Sequence, residues 1–400
     1  MKSAFVIGDK IEAQCFDKYC TRSGISVAYY LPTSAEVQAA ERDGIVTLSR
    51  DVLSQIATYD SLFCFADDLQ ITTDVVRSKL FGSTRDVVTL RRIVDKNAVQ
   101  SDPKLSRHLP RAIDLGAARK LDAAKLGGVT FPVVFKPSNA FYSAGVSRCD
   151  SPDQAEPCFQ AARKVAKVMA SRRGSGTVIA QEYIEGQEFA VDGFVSGGQI
   201  FPLLMHQKYP ELTGPLFHEY SVISRHLLKR DAADRPFREF ALDVIADSGL
   251  DNSPFHMEFR RNALGTFKLL EIAPRLSGGS STGYTTGHIT AGIDMFALLD
   301  ACQNGRLNGD AIVATRDAVS LEIDFSTGVS GTVNNVAEVS RICREHGATF
   351  LYTFKTDGDF IRAEGSAMSS CLLSYFPMRD WRAAEDLFRV FYGAINLTVD

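Results

Sequence analysis

The sequence predicts an α/β domain at its start, followed by an α+β body and a final lobe of strands. Three observations lead there. In the first ninety residues, short apolar runs alternate with helix-length amphipathic stretches, the pattern of a parallel sheet with crossover helices. In the middle of the chain, apolar runs are joined by short Gly- and Asn-containing turns, as in antiparallel hairpins. The last eighty residues return to strands with one amphipathic helix.

Taken in order, Ala4-Phe5-Val6-Ile7 is a buried strand closed by Gly8, and Ser26 to Leu31 is a second one stopped by Pro32. Ile45-Val46-Thr47-Leu48 and Leu62-Phe63-Cys64-Phe65 supply a third and a fourth, and the segments between the strands have helical character, as from Ala35 to Arg42. From Asp95 onward, strands are expected at Val133–Lys136 and Thr177–Gln181, separated by a long helix over Ala155–Ser171. Phe189–Val195 and Ile200–Leu204 form a hairpin turned by Ser196-Gly197-Gly198. Pro236–Ser248 is a helix, and Phe255–Arg260 pairs with Phe267–Ile272 around Asn262 to Gly265. Arg379–Phe391 is the last helix.

Composition narrows the function. Hydrophobic residues make up 45% and charged residues 23% of the 400, a soluble globular balance. No run approaches the about 18 consecutive apolar residues of a membrane span. A net charge of −4 gives no electrostatic case for nucleic acid, so neither membrane nor nucleic acid is expected as a partner. The eight cysteines are scattered with no C-x-x-C pair, and Met1 to Asp9 holds no signal-peptide core. Reduced thiols and a cytoplasmic location are the expectation.

The chemistry concentrates in Met257-Glu258-Phe259-Arg260 and Leu270-Glu271-Ile272-Ala273-Pro274-Arg275-Leu276-Ser277-Gly278-Gly279-Ser280. Glu258 and Glu271 interrupt apolar strands, where a carboxylate is costly unless paired or bound to a metal. On adjacent strands of a hairpin they can share one face, and two hard oxygen donors suit Mg²⁺. Arg275 offers a fork for a phosphate or an acyl oxyanion, beside the backbone N–H groups of the Ser277-Gly278-Gly279 turn. Lys136 leaves a buried strand into the small-residue loop Ser138–Val146, well placed for a polyphosphate; Lys96 is a second basic candidate. Between Gln181 and Glu188 a short connector can present edge groups to a purine and a carboxylate to a ribose.

The order of Asp95-Lys96, Phe135-Lys136-Pro137, Gln181-Glu182-Tyr183-Ile184-Glu185-Gly186-Gln187-Glu188, Met257-Glu258 and Glu271-Ile272-Ala273-Pro274-Arg275 resembles the ATP-grasp superfamily. The resemblance is closest to its carboxylate–amine ligases, including the amino-acid and dipeptide ligases, and covers roughly residues 90–300. It implies two α+β lobes with ATP between them, behind the parallel α/β domain and ahead of a carboxy-terminal lobe. The implied units are 1–92, 93–190 with a lid, 191–310 with the metal site, and 311–400. Lys96, Lys136 and Ser143 would hold phosphates, Gln181 and Ile184 the adenine, and Glu188 the ribose. Glu258 and Glu271 would bind Mg²⁺, with Mn²⁺ as a substitute. Arg275 and Lys136 would serve catalysis, and Glu219, Arg275, Ser277, Gly278 and Gly279 the substrates. The implied activity is ATP-dependent amide formation through an acyl phosphate, from small-molecule carboxylate and amine substrates. A ligase for a non-amino-acid carboxylate, or a nucleotide-binding regulatory subunit, stays open beside it, as does a homodimer.

Overall fold

The computed structural model describes residues 1–38, 45–82, 85–140, 143–173, 176–209, 220–225, 235–326, 329–361, 370–391 and 395–400. In the first lobe, β1 (Ser3–Ile7), β2 (Ser26–Tyr30) and β3 (Ser61–Phe63) form a parallel sheet in the order β2-β1-β3. Phe5 and Ile7 enter one core and Ala4 and Val6 another, because both faces are covered. The expected strand at Ile45–Leu48 does not form. Val46 and Leu48 are buried, but the Val46 N–H donates to Thr72 Oγ1 at 3.0 Å, a side-chain partner in place of a ladder.

The second sheet holds β4 (Ala112–Gly116), β5 (Val133–Pro137), β6 (Ser147–Cys149) and β7 (Val178–Glu182), ordered β4-β7-β5-β6 and antiparallel throughout. The helix Ala155–Arg173 packs Phe159, Ala162 and Ala166 against Val133, Phe135, Val178 and Ala180. Strand alternation therefore turns Lys136 and Gln181 to the opposite face.

The largest sheet is antiparallel with eight strands. Its chain-order members are β8 (Gln187–Ser196), β9 (Gln199–Tyr209), β10 (Tyr220–Ser224), β11 (Ser253–Arg261), β12 (Phe267–Ala273) and β13 (Val319–Ser326). After the short β14 (Gly331–Thr332) come β15 (Phe350–Thr353), β16 (Phe360–Ile361) and β17 (Ser370–Met378). The order is β12-β11-β8-β9-β10-β13-β17-β15, with β14 and β16 paired apart. This sheet takes strands from both sides of residue 310. Its first hairpin turns at Gly197 and Gly198, with φ of 56° and 74°, the left-handed pair that a tight two-residue turn requires.

One face of the sheet sends Phe189, Val191, Met205, Phe255, Met257 and Phe259 into a core closed by Phe237, Ala241, Val244 and Ile245 of the helix Arg235–Ser248. The period of two turns Glu188, Asp192, His206, Lys208, His256, Glu258 and Arg260 the other way. Helices Val336–Glu345 and Trp381–Phe391 cover β13 and β17; the sequence reading anticipated only the second. All eight cysteines are free thiols. Among the described residues, no helix is long and apolar enough to cross a membrane.

Candidate active site

Glu258 and Glu271 are direct cross-strand partners on β11 and β12, beside a bulge at Glu258/Phe259. Each faces an ammonium: Lys208 Nζ lies 2.6 Å from Glu258 Oε1, and Lys96 Nζ lies 3.1 Å from Glu271 Oε1. Burial opposes the charge of Glu258, but Lys208 and His256 outweigh it and hold the carboxyl well below the usual range. Two oxygen-donor side chains already satisfied by cations fit Mg²⁺, which takes one or two carboxylates and completes its shell with phosphate and water. Among the described residues no group of three or more His, Cys, Asp and Glu is placed to enclose a metal.

Between the second and third sheets lies a cleft of about 100 Å³, lined by Lys96, Lys136, Ser143, Gln181, Ile184, Glu188, Lys208, Glu258, Arg260 and Glu271. Lys96 opens the helix Lys96–Ser101, whose cap Asp95 accepts from Asn97 N, and its Nζ also donates to Ala140 O at 2.7 Å. Lys136 Nζ donates to Leu270 O at 3.2 Å. Burial, with Lys96 adding to it, lowers Lys136 to about 8 against the pull of Glu271, Glu258 and Glu188. Gln181 is buried on the Lys136 face of the sheet, whereas Glu182 is exposed. Glu188 is held from both sides, by Lys208 Nζ at 3.0 Å and Arg260 Nε at 2.9 Å. Arg260 also donates to the Ile184 carbonyl at 2.8 Å.

The cleft opens into a wider cavity of about 570 Å³, and the two share Ser143, Lys208, Glu258 and Glu271. Ser277, Gly278 and Gly279 line the wider space at the entry to the helix Thr282–Ala291. Gly278 has a φ of 61°, and a Cβ there would collide with the Thr282 side chain. Arg275 reaches the same cavity while Asp67 of the first lobe grips it, Nε to Oδ1 at 2.6 Å and Nη2 to Oδ2 at 2.9 Å. Behind the lining residues His206, His256 and Ser277, Asp192 has none of its surface exposed. Its carboxylate accepts Ser277 N at 3.1 Å and Ser277 Oγ at 2.5 Å, and meets His256 Nδ1 at 2.8 Å and His206 Nε2 at 3.0 Å.

The structure thus gathers Lys96, Lys136, Ser143, Gln181, Ile184, Glu188, Glu258, Glu271, Arg275, Ser277, Gly278 and Gly279 along two adjoining cavities. Glu219 lies outside the described residues, as do His218 and the loop residues Phe141 and Tyr142. Sequence reasoning missed Asp192, His206, His256, Lys208 and Arg260. The signal for Asp192 was available: it interrupts the apolar run Phe189 to Val195 in the way Glu258 interrupts its own.

Residues 129–283 match the family of ATP-grasp domains. The chain carries an ATP-grasp domain. That domain holds every gathered site residue except Lys96. A segment of 159 residues, 38% of this chain, is 30% identical to dapdiamide A synthase of Enterobacter agglomerans and spans 35% of that relative's length. The whole fold superposes on an L-amino acid ligase from Bacillus licheniformis with a TM-score of 0.76 at 17% identity, covering 100% of this chain and 99% of that one. It also superposes on the biotin carboxylase domain of the Hydrogenobacter thermophilus 2-oxoglutarate carboxylase, in complex with MgADP, with a TM-score of 0.66 at 13% identity. That match covers 100% of this chain and 91% of the other. At such identities the likeness establishes the ATP-grasp fold.

Proposed function

We propose that this ATP-grasp protein is an ATP-dependent carboxylate–amine ligase, joining an amino-acid carboxylate to an amine through an acyl phosphate and releasing ADP and phosphate. The observation that carries this reading is the junction of the two cavities at Ser143, Lys208, Glu258 and Glu271. A nucleotide lying in the narrower cleft would put its terminal phosphate there, beside an acid in the wider space.

In this reading Gln181 and the Ile184 backbone receive the adenine, and Glu188 the ribose. Lys96 and Lys136 face the phosphates and neutralise the charge that builds on the transferring phosphoryl group. Mg²⁺, held by Glu258 and Glu271, would supply further neutralisation of the β- and γ-phosphates. The substrate carboxylate attacks the γ-phosphorus, and the Arg275 guanidinium and the Ser277–Gly279 turn steady the acyl oxygen. Closure of the second sheet over the cleft excludes water, which would otherwise hydrolyse the acyl phosphate. The amine then displaces phosphate.

Incubation with Mg-ATP and the twenty common amino acids, followed by mass spectrometry, tests the proposal. ADP, phosphate and a new amide are expected. AMP and pyrophosphate would instead assign an adenylating enzyme, and no nucleotide turnover with any acid would break the ligase reading.

A further inference from the structure

In the ligation step an amine that reaches the site at neutral pH as an ammonium must lose a proton before its lone pair can attack. Among the described residues assigned above, none at the junction of the two cavities is a neutral base, and Glu188 is held by Lys208 and Arg260. Lys96, Lys136, Lys208 and Arg275 are cations, and Glu258 and Glu271 face Lys208 and Lys96. On the floor of the wider cavity, however, a histidine is oriented by a buried carboxylate. Resting on the ligase reading, we propose that His206 is the general base for the attacking amine, with Asp192 as its positioning residue.

The ring geometry decides which nitrogen acts. An ionised carboxylate only accepts hydrogen bonds, so the His206 Nε2 that lies 3.0 Å from Asp192 Oδ2 carries the hydrogen. Nδ1 is then the nitrogen with a lone pair. His206 lines the wider cavity, on the same strand and face as Lys208 at the junction with the nucleotide cleft. Asp192 cannot turn away from this task, because Ser277 N and Oγ and His256 Nδ1 hold its two oxygens from other directions. The groups around the ring are Asp192 on β8, His256 on β11 and Lys208 on its own strand, while β10 presents the apolar Ile223 opposite. Burial leads these influences and lowers the basicity of His206 despite Asp192, so the ring is neutral and able to accept. His256 is committed differently: its Nε2 lies 3.4 Å from Glu258 Oε1.

The step balances. One ammonium proton passes to His206 Nδ1, and the freed lone pair forms the C–N bond at the acyl carbon. The C–O bond to phosphate breaks, with its electron pair leaving on phosphate. A second nitrogen proton leaves with that phosphate.

The test uses two nucleophiles against the same acyl phosphate. Hydroxylamine is uncharged at neutral pH and needs no base, whereas an amino acid's amine does. The full-length protein is given Mg-ATP, the twenty common amino acids and hydroxylamine at pH 7, and the ratio of amide to hydroxamate is measured by mass spectrometry. In His206→Gln the amide nitrogen replaces Nε2 as donor to Asp192 and no base remains. That ratio should fall by about 100-fold or more, the usual reach of general-base catalysis. The deficit should shrink as pH rises and the free amine becomes abundant. Asp192→Asn should lower the ratio in the same direction. Because both products come from one preparation, partial unfolding cancels from the ratio. A His206→Gln ratio within twofold of wild type, or a deficit that does not change between pH 7 and pH 9, would overturn the assignment to His206. Absence of both amide and hydroxamate from the wild type would instead break the ligase reading, and the inference with it.

Discussion

Asp192 and the pair Glu258–Glu271 are acids set into apolar strands of the same sheet, on β8, β11 and β12 in neighbouring positions. Asp192 has no exposed surface, and Ser277, His206 and His256 saturate both of its oxygens. Glu258 and Glu271 keep 26% and 30% of their side-chain surface, and their partners include lysine ammoniums on the cavity wall. The difference separates two uses of one chemical device. An acid closed off by fixed protein donors builds a loop onto a sheet, and an acid left partly open with a long, flexible cation as partner can exchange it for a ligand.

The largest expected effect falls on the closed acid. Asp192→Ala would strand two histidines and the Ser277 loop without their acceptor, and should cost about 3–5 kcal/mol of stability, the usual consequence of removing one side of a buried ionic network. Denaturant unfolding measures it, and a loss below ~1 kcal/mol would erase the contrast. The open acid should behave in reverse. Glu271→Gln is expected to cut ATP turnover by about 10²–10³-fold, the scale of one lost electrostatic contact in a transition state, while unfolding changes by less than ~1 kcal/mol. Turnover near wild type would remove Glu271 from the metal-binding role.

The smallest effect sharpens the same idea from the cationic side. Lys136 titrates near 8 in the folded protein, below about 10.4 for a free lysine, so burying its charge opposes folding. Stability lost to this charge is recovered as pH climbs through that window. Lys136→Met should therefore stabilise the protein at pH 7 by on the order of 1–3 kcal/mol, and the gain should vanish above about pH 10.4. The same variant should bind ADP more weakly. A Lys136→Met protein that is less stable at pH 7 would show that the ammonium is there for folding.

The open acids were legible in the sequence because everything needed to find them is local. Thirteen positions separate Glu258 from Glu271, a turn-bearing stretch lies between, and hairpin pairing follows. Asp192 carries the same mark within Phe189 to Val195, and His206 lies as near along its own hairpin, yet His256 and Ser277 are distant in sequence and come to it only through the pairing of β11 with β8 and the loop after β12. Lys208 and Arg260 look like ordinary strand charges until register sets them on either side of Glu188. Ile45–Leu48 shows the opposite failure: apolar alternation predicted a strand, and a single threonine hydroxyl captured the backbone group that would have paired. The parallel character of the first lobe and the main hairpins were legible because alternating strand and helix segments and the turn signals are written locally in the chain.

The grip of Asp67 on Arg275 spans 208 positions of chain and has a consequence for dissection. A fragment starting at residue 85 would keep the cleft residues from Lys96 to Glu271 in its sequence but would uncover the core in which Val6, Phe16, Phe63 and Phe65 pack with Leu276, Tyr284 and Phe296. It would also take from the arginine the two-pronged carboxylate grip that Asp67 gives its planar fork. The opening lobe is thus built into the wall of the wider cavity, where it sets the position of Arg275.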